Sequence, residues 1–265
     1  MNIPEIKTVT VIGAGNVATH LAKALLGSGK VINCVYSRTQ DSAVYLASRV
    51  SAKAITQLSQ LPADSDLYII ALPDAVVPSV ISSIHLDGNL IVHTSGTLAA
   101  DILANVSENY GVFYPFQTFS IGRALDFRHV PVCIESPKKE NEVRLTELAQ
   151  EITSSVSLVT SEKRALLHVA GVFACNFTNL NYVIAEEILR ENNISFDLIK
   201  PLIRETASKV MGISPLKVQT GPAVREDRAI MDKHVELLAS KPEYASLYNT
   251  LSKLIIKKKN DNGQL

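Results

Sequence analysis

Val9-Thr10-Val11-Ile12-Gly13-Ala14-Gly15-Asn16-Val17-Ala18 decides the fold. A β-prone run enters Gly-x-Gly-x-x-Ala, and Leu21-Ala22-Lys23-Ala24-Leu25-Leu26 continues at helical spacing. Gly13 permits a tight turn, Gly15 lets a diphosphate approach the backbone, and Ala18 lets the helix pack closely on the strand. Unpaired N–H groups and the dipole at the helix start favour an anion there. An ordinary glycine turn is the structural alternative. The strand before it, the helix after it and a second strand at the right distance together favour a dinucleotide, with Gly13, Gly15, Asn16 and Val17 as contacts.

That second strand, Val31–Ser37, ends in Ser37-Arg38-Thr39. A site preferring NAD usually carries a carboxylate here for the ribose 2′-hydroxyl, and this chain has none. Arg38 would stack on adenine and neutralise a 2′-phosphate, with Ser37 and Thr39 donating hydrogen bonds, so NADP is expected over NAD. An exposed loop Arg that serves only solubility is the alternative. Leu67–Leu72 leads to Leu72-Pro73-Asp74, and Leu90–Thr94 leads to Ser95-Gly96. Ligands lie at the carboxyl ends of strands in such sheets, so Leu72 and Pro73 are expected at the nicotinamide ribose. Asp74 reads as a helix N-cap before a catalytic group.

The same alternation extends to about Thr160. Further strands are read at Gly111–Tyr114, Val130–Ile134 and Val156–Val159, with helices at Ala18–Leu26, Ser42–Arg49 and Val76–Ile84. This predicts an α/β domain over 1–160 with a doubly wound, mostly parallel sheet. After Ser161 the strand signals stop, which predicts an all-α domain over 161–265. Its first helix, Glu162–Asn192, spans about 45 Å. Ser195 would cap a second helix running towards Met211, and two more are read at Val224–Ser240 and Tyr244–Lys257 before a solvated Lys257–Gly263 tail.

The 265 residues carry 26 Lys+Arg against 26 Asp+Glu, which leaves no electrostatic footprint for nucleic acid or an anionic membrane. Apolar runs such as Leu67–Leu72 are far below the roughly 20 residues of a spanning helix. Met1–Ile6 has neither a basic nor an apolar leader region, so a cytoplasmic protein is expected. Cys34, Cys133 and Cys175 lack metal-ligand spacing and read as buried free thiols; no metal site is expected.

With these residues, the chain resembles the superfamily of pyrroline-5-carboxylate reductase, 6-phosphogluconate dehydrogenase and the deazaflavin-dependent NADP reductases. Within it, the chain is most similar to bacterial NADP oxidoreductases that join an N-terminal Rossmann-like domain to a helical domain of unknown function. The similarity rests on Gly13–Ala18, Ser37-Arg38, Ala71–Asp74, Tyr114-Pro115-Phe116-Gln117-Thr118-Phe119, His168–Tyr182 and Thr220–Asp227. The resemblance implies a Rossmann domain, a long interdomain helix and a homodimer formed by the helical domain. Two departures stand out. The hydroxyacid dehydrogenase branch carries Lys-x-x-x-Asn on its long helix; aligning Asn176 puts Val172 at the Lys position, where no proton can be moved. Pyrroline-5-carboxylate reductases carry Met-Pro-Asn-Thr-Pro where this chain has Tyr114–Thr118.

On the long helix, His168, Gly171, Val172, Cys175, Asn176 and Asn179 share one face at α-helical spacing. The functional reading has this stripe face the nicotinamide across an interdomain cleft. His168 would exchange a proton with a carbonyl or imine, Asn176 would orient the substrate, and Ser95 is a weaker catalytic candidate. A structural interdomain helix is the alternative. Arg225, in the turn after Thr220-Gly221-Pro222, would hold an anionic substrate group. The expected activity is hydride transfer between NADP and a small carbonyl, imine or hydroxy compound. A non-catalytic NADP(H) sensor is the competing reading, and a bound flavin-like partner a third.

Overall fold

In the computed structural model, which describes residues 4–86 and 88–261, the opening run forms β1 (Thr8–Ile12) and α1 (Asn16–Gly27). There follow β2 (Val31–Tyr36), α2 (Gln40–Ala47), β3 (Lys53–Ile55), β4 (Leu67–Ile70), α3 (Val77–Ile81), β5 (Leu90–His93), β6 (Tyr110–Pro115), β7 (Val132–Glu135), α4 (Lys139–Ile152) and β8 (Val156–Leu158). The strands form one sheet in the order β3-β2-β1-β4-β5-β6-β7-β8, parallel except for the β6–β7 pair. The doubly wound, mostly parallel α/β expectation holds, and the order reverses direction at β1/β4, where such folds bind ligands.

Alternation along each strand explains burial on both faces. Val9, Val11, Leu67 and Ile69 join a cluster with Leu21 and Leu25 of α1 and Leu145 and Leu148 of α4. Ile12, Tyr68, Ile70 and Ile91 face the other way, against Val77 and Val80 of α3.

Two elements were not expected: β3 and α4. The helix read at Val76–Ile84 is shorter, and Asp74 does not cap it, because the N-cap position is Val76. Ser195 accepts from the Asp197 N–H and caps a 3₁₀ turn, Phe196–Leu198, so that the helix read as running towards Met211 begins only at Lys200. The tail is helical to Asp261; Asn262 and Gly263, like Met1–Ile3 of the expected leaderless start, lie outside the described residues.

α5 (Ser161–Gly171), a π-helical turn (Val172–Phe177) and α6 (Thr178–Glu191) follow one another without a break. They are followed by α7 (Lys200–Gly212), α8 (Arg228–Leu237) and α9 (Pro242–Asp261). The chain forms two compact units that part between Cys175 and Asn176, inside the π turn. Among the described residues after Cys175, only Ala223 and Ser252 are fully buried. No helix among the described residues is long and apolar enough to cross a membrane.

Candidate functional site

The turn after β1 behaves as its sequence demands. Gly13 has φ +128°, and a Cβ there would lie 2.2 Å from the Ala71 carbonyl oxygen. Its N–H donates to the Tyr36 oxygen (2.8 Å), while the Ala71 N–H donates to the Ile12 oxygen (2.8 Å), so strands β2, β1 and β4 all meet at this turn. Gly15, by contrast, has open space where a Cβ would stand. It is the extended N-cap of α1; no side chain caps the helix and no acid occupies its first turn. Gly15 and Asn16 are exposed, Val17 half-buried and Ala18 buried against the sheet. These are the features that a diphosphate requires: close backbone approach, unpaired N–H donors and no competing carboxylate.

Ser37, Arg38 and Thr39 follow β2 as expected, with Arg38 exposed. The Ser37 N–H donates to the Ile55 oxygen (3.1 Å), and the Thr39 hydroxyl donates to Ser42 (2.9 Å). Thr39 has thus committed its proton, which leaves the exposed Arg38 guanidinium as the cationic donor of the loop.

Two strand ends further along the carboxyl edge, about 10 Å from β1 at the usual strand spacing, the loop after β5 is pinned from several sides. The Ser95 hydroxyl accepts from the N–H groups of Thr97 and Leu98 (3.0 Å each), so its lone pairs serve the loop itself. Beneath it His93 is fully buried, and its Nδ1 accepts from the Ser95 N–H (3.1 Å). That bond leaves the proton on Nε2, which donates to the Ala99 oxygen (3.2 Å). Burial, and then the nearby Arg164 charge, push the His93 pKa down to about 4, which keeps it neutral. Asp74 accepts a hydrogen bond from the Thr97 hydroxyl and so ties the loop after β4 to this one.

His168 of α5 comes to rest on this loop. A Cβ at Gly96 would sit 2.6 Å from its Nδ1 and 2.9 Å from the Tyr114 hydroxyl, so only glycine admits the pair. Tyr114 is 3.1 Å from His168 Nδ1, and burial pushes the phenol up to about 12, so it keeps its proton at neutral pH. Gly171 likewise makes room for Phe116, whose ring a Cβ would approach at 2.8 Å. One turn before His168, Arg164 has no exposed side-chain surface. Its Nε donates to the Ser95 oxygen (3.1 Å), Nη1 pairs with Glu135, and Nη2 reaches the Leu98 oxygen and Ser161. Ser161 in turn donates to Glu135 (2.8 Å).

Ser95 and His168 therefore come together, with Tyr114, Arg164 and Glu135 as partners that the sequence reading did not single out. Arg164 lies four residues before His168 on the same helix face, the one local signal that pointed to it. The continuous stripe does not carry through. In the π turn hydrogen bonds run i→i+5, so the α-helical spacing that put Cys175, Asn176 and Asn179 on the face of His168 fails inside Val172–Phe177. Asn176 is exposed and opens the second unit. Cys34 and Cys133 are buried free thiols, but Cys175 is exposed, because it stands in that outward-facing turn. Arg225 is exposed in a turn that precedes α8; that helix starts at Arg228 behind the Asp227 cap, so Gly221-Pro222 does not form its N-terminus. No group of His, Cys, Asp or Glu among the described residues is placed to hold a metal.

Two family models match the chain: a Rossmann-like domain over residues 3–115 and a domain of unknown function, DUF2520, over residues 130–255. A solved structure from Bacteroides fragilis, described as a "putative NADP oxidoreductase", is 39% identical, covers 95% of this chain and 98% of its own, and has a TM-score of 0.88. An imine reductase from Myxococcus stipitatus in complex with NADP+ is 16% identical over 97% of this chain and 95% of its own, with a TM-score of 0.69. A reductive aminase from Aspergillus terreus, in complex with cyclohexanone and allyl amine, is 16% identical over 98% of this chain and 95% of its own, with a TM-score of 0.73. The last two are likenesses of fold. No curated protein matches.

Proposed function

We propose a function for a chain that belongs to the family joining a Rossmann-like domain to a DUF2520 domain, the family of the Bacteroides fragilis oxidoreductase that it matches at 39% identity. It is an NAD(P)-dependent oxidoreductase. NADP is the cofactor, held by the Gly13–Ala18 turn at its diphosphate and by Arg38 and Ser37 at its 2′-phosphate, with Leu72 and Pro73 beside the nicotinamide ribose. When bound, NADP supplies or accepts the hydride. The substrate is a small carbonyl, imine or hydroxy compound.

The chain's own part is the proton. Tyr114 and His168 share one across 3.1 Å at the carboxyl edge of the sheet, and this pair is the observation that carries the reading. With its phenol held protonated, Tyr114 donates to Nδ1; as Nε2–H gives its proton to the reduced carbonyl oxygen or imine nitrogen, the phenol proton moves to Nδ1, so the ring stays neutral and the phenolate regains its proton from water. Ser95, whose hydroxyl proton remains available, positions the substrate in this reading. Replacing His168 by Ala should lower turnover of NADPH with cyclohexanone and allyl amine by about 10²–10⁴-fold. Unchanged turnover would overturn the assignment. NADPH binding without turnover of any carbonyl or imine by the parent protein would favour a sensor instead.

The cofactor has a separate test. Calorimetric titration should show NADPH bound at least about tenfold (1.4 kcal/mol) more tightly than NADH. Arg38→Ala should remove that difference by weakening NADPH alone. Equal affinities in the parent would eliminate the 2′-phosphate role.

The protein acts as a homodimer built by its helical unit. Leu180 of α6, Leu202 and Met211 of α7 and Leu237 of α8 are each half exposed or more. A unit with so little buried side chain cannot hold itself together as water-soluble helices, and a second copy offers the matching apolar surface. Light scattering at micromolar concentration should give twice the 28.8 kDa chain mass; a monomer would refute this. Its free thiols suit the reducing cytoplasm, the compartment of this reading.

A further inference from the structure

We infer that Arg164 is a positioning residue for His168: its guanidinium clamps the Ser95–Leu98 loop and α5 together and thereby holds His168 at Tyr114. The inference rests on the proposed proton role of that pair. Arg164 is wholly buried and uses each nitrogen: Nε for the Ser95 oxygen (3.1 Å), Nη1 for Glu135, and Nη2 for the Leu98 oxygen and the Ser161 hydroxyl (3.2 Å). Two of these acceptors belong to the loop whose Gly96 lies directly under the imidazole. Glu135 belongs to β7, and Ser161, at the start of α5, donates to the same carboxylate (2.8 Å). The clamp therefore joins three segments of chain around one fork.

Arg164 and His168 are one helical turn apart, so fixing the azimuth of the first fixes that of the second. The imidazole is then confined between Gly96 and Tyr114, without the guanidinium touching any reacting atom. A lysine cannot replace the fork, because one ammonium on a flexible stem cannot span two carbonyls and a carboxylate in a plane. The five N–H donors of a buried guanidinium need more acceptors than one carboxylate supplies; here two of those acceptors are carbonyls of the loop under His168, which is what couples the fork to the imidazole.

The test reads the imidazole rather than the chemistry. Nitrogen-15 NMR of the full-length protein should show one dominant His168 tautomer, and Tyr114→Phe should abolish that dominance, which assigns the signal. Arg164→Lys, checked for folding by circular dichroism, should also lose it. Turnover of NADPH with cyclohexanone and allyl amine should fall at least tenfold, with NADPH affinity within twofold of the parent. Ser161→Ala removes only one strut and should move the tautomer ratio in the same direction; it decides the question if Arg164→Lys does not fold. An unchanged tautomer signature in the folded variants, while Tyr114→Phe shifts it, overturns the inference. If His168→Ala keeps full turnover yet Arg164→Lys still frees the imidazole, the clamp stands and the proton role falls.

Discussion

Replacing Gly13 by alanine should abolish NADPH binding and destabilise the fold by several kcal/mol. Two independent causes add. The backbone at φ +128° is a conformation that L side chains rarely adopt, which costs about 1–3 kcal/mol. The new methyl would also stand 2.2 Å from the Ala71 oxygen and 2.9 Å from its carbonyl carbon, both main-chain atoms. Ala71 cannot retreat cheaply, because its N–H donates to the Ile12 oxygen (2.8 Å) across the β1–β4 pair. Overpacking of this kind adds about 1–3 kcal/mol. At about 2–4 °C per kcal/mol for a domain of this size, scanning calorimetry should show a fall of roughly 10 °C. A variant melting within 2 °C of the parent would refute the steric account. Gly15→Ala is the informative contrast. Its φ of −80° suits any residue and its Cβ meets nothing, so stability should be kept while NADPH affinity drops.

Glu135→Ala should cost about 3–5 kcal/mol, because it strands the Arg164 guanidinium in the interior without a counter-charge. Removal of one partner of a buried pair is worse than removal of both, since the remaining ion keeps its desolvation penalty. The variant also deprives the Ser161 N–H (3.0 Å) and hydroxyl of their acceptor at the start of α5. The double change Glu135→Leu with Arg164→Met should therefore be less destabilised than Glu135→Ala alone, although it loses the clamp on the Ser95 loop. Urea unfolding of the three proteins measures this directly. A loss below about 1 kcal/mol for Glu135→Ala would mean that the carboxylate does not compensate the cation.

The expectations that held share a property: their signals are local. The Gly13–Ala18 turn, the alternating strands β1, β4 and β5 and the amphipathic run of α1 are each written in consecutive residues. β3 escaped because Lys53-Ala54-Ile55 is too short to show a period. α4 is dominated by charged residues, and its apolar stripe of Leu145, Leu148, Ala149 and Ile152 comes late. The π turn could not be seen because a shift from i→i+4 to i→i+5 bonding over Val172–Phe177 demands no particular residue type, so it leaves no mark in the residue pattern.

The sequence by itself determined the nucleotide-binding half of the site, because what Gly13 and Gly15 do depends on their own missing side chains and on the strand and helix beside them. Only the tertiary structure decided the other half. Tyr114 and His168 are 54 residues apart, and Arg164 and Glu135 are 29 apart. Such pairs form only because the strand order sets β6 and β7 side by side and lays α5 across their ends, and no spacing along the chain records which strands become neighbours.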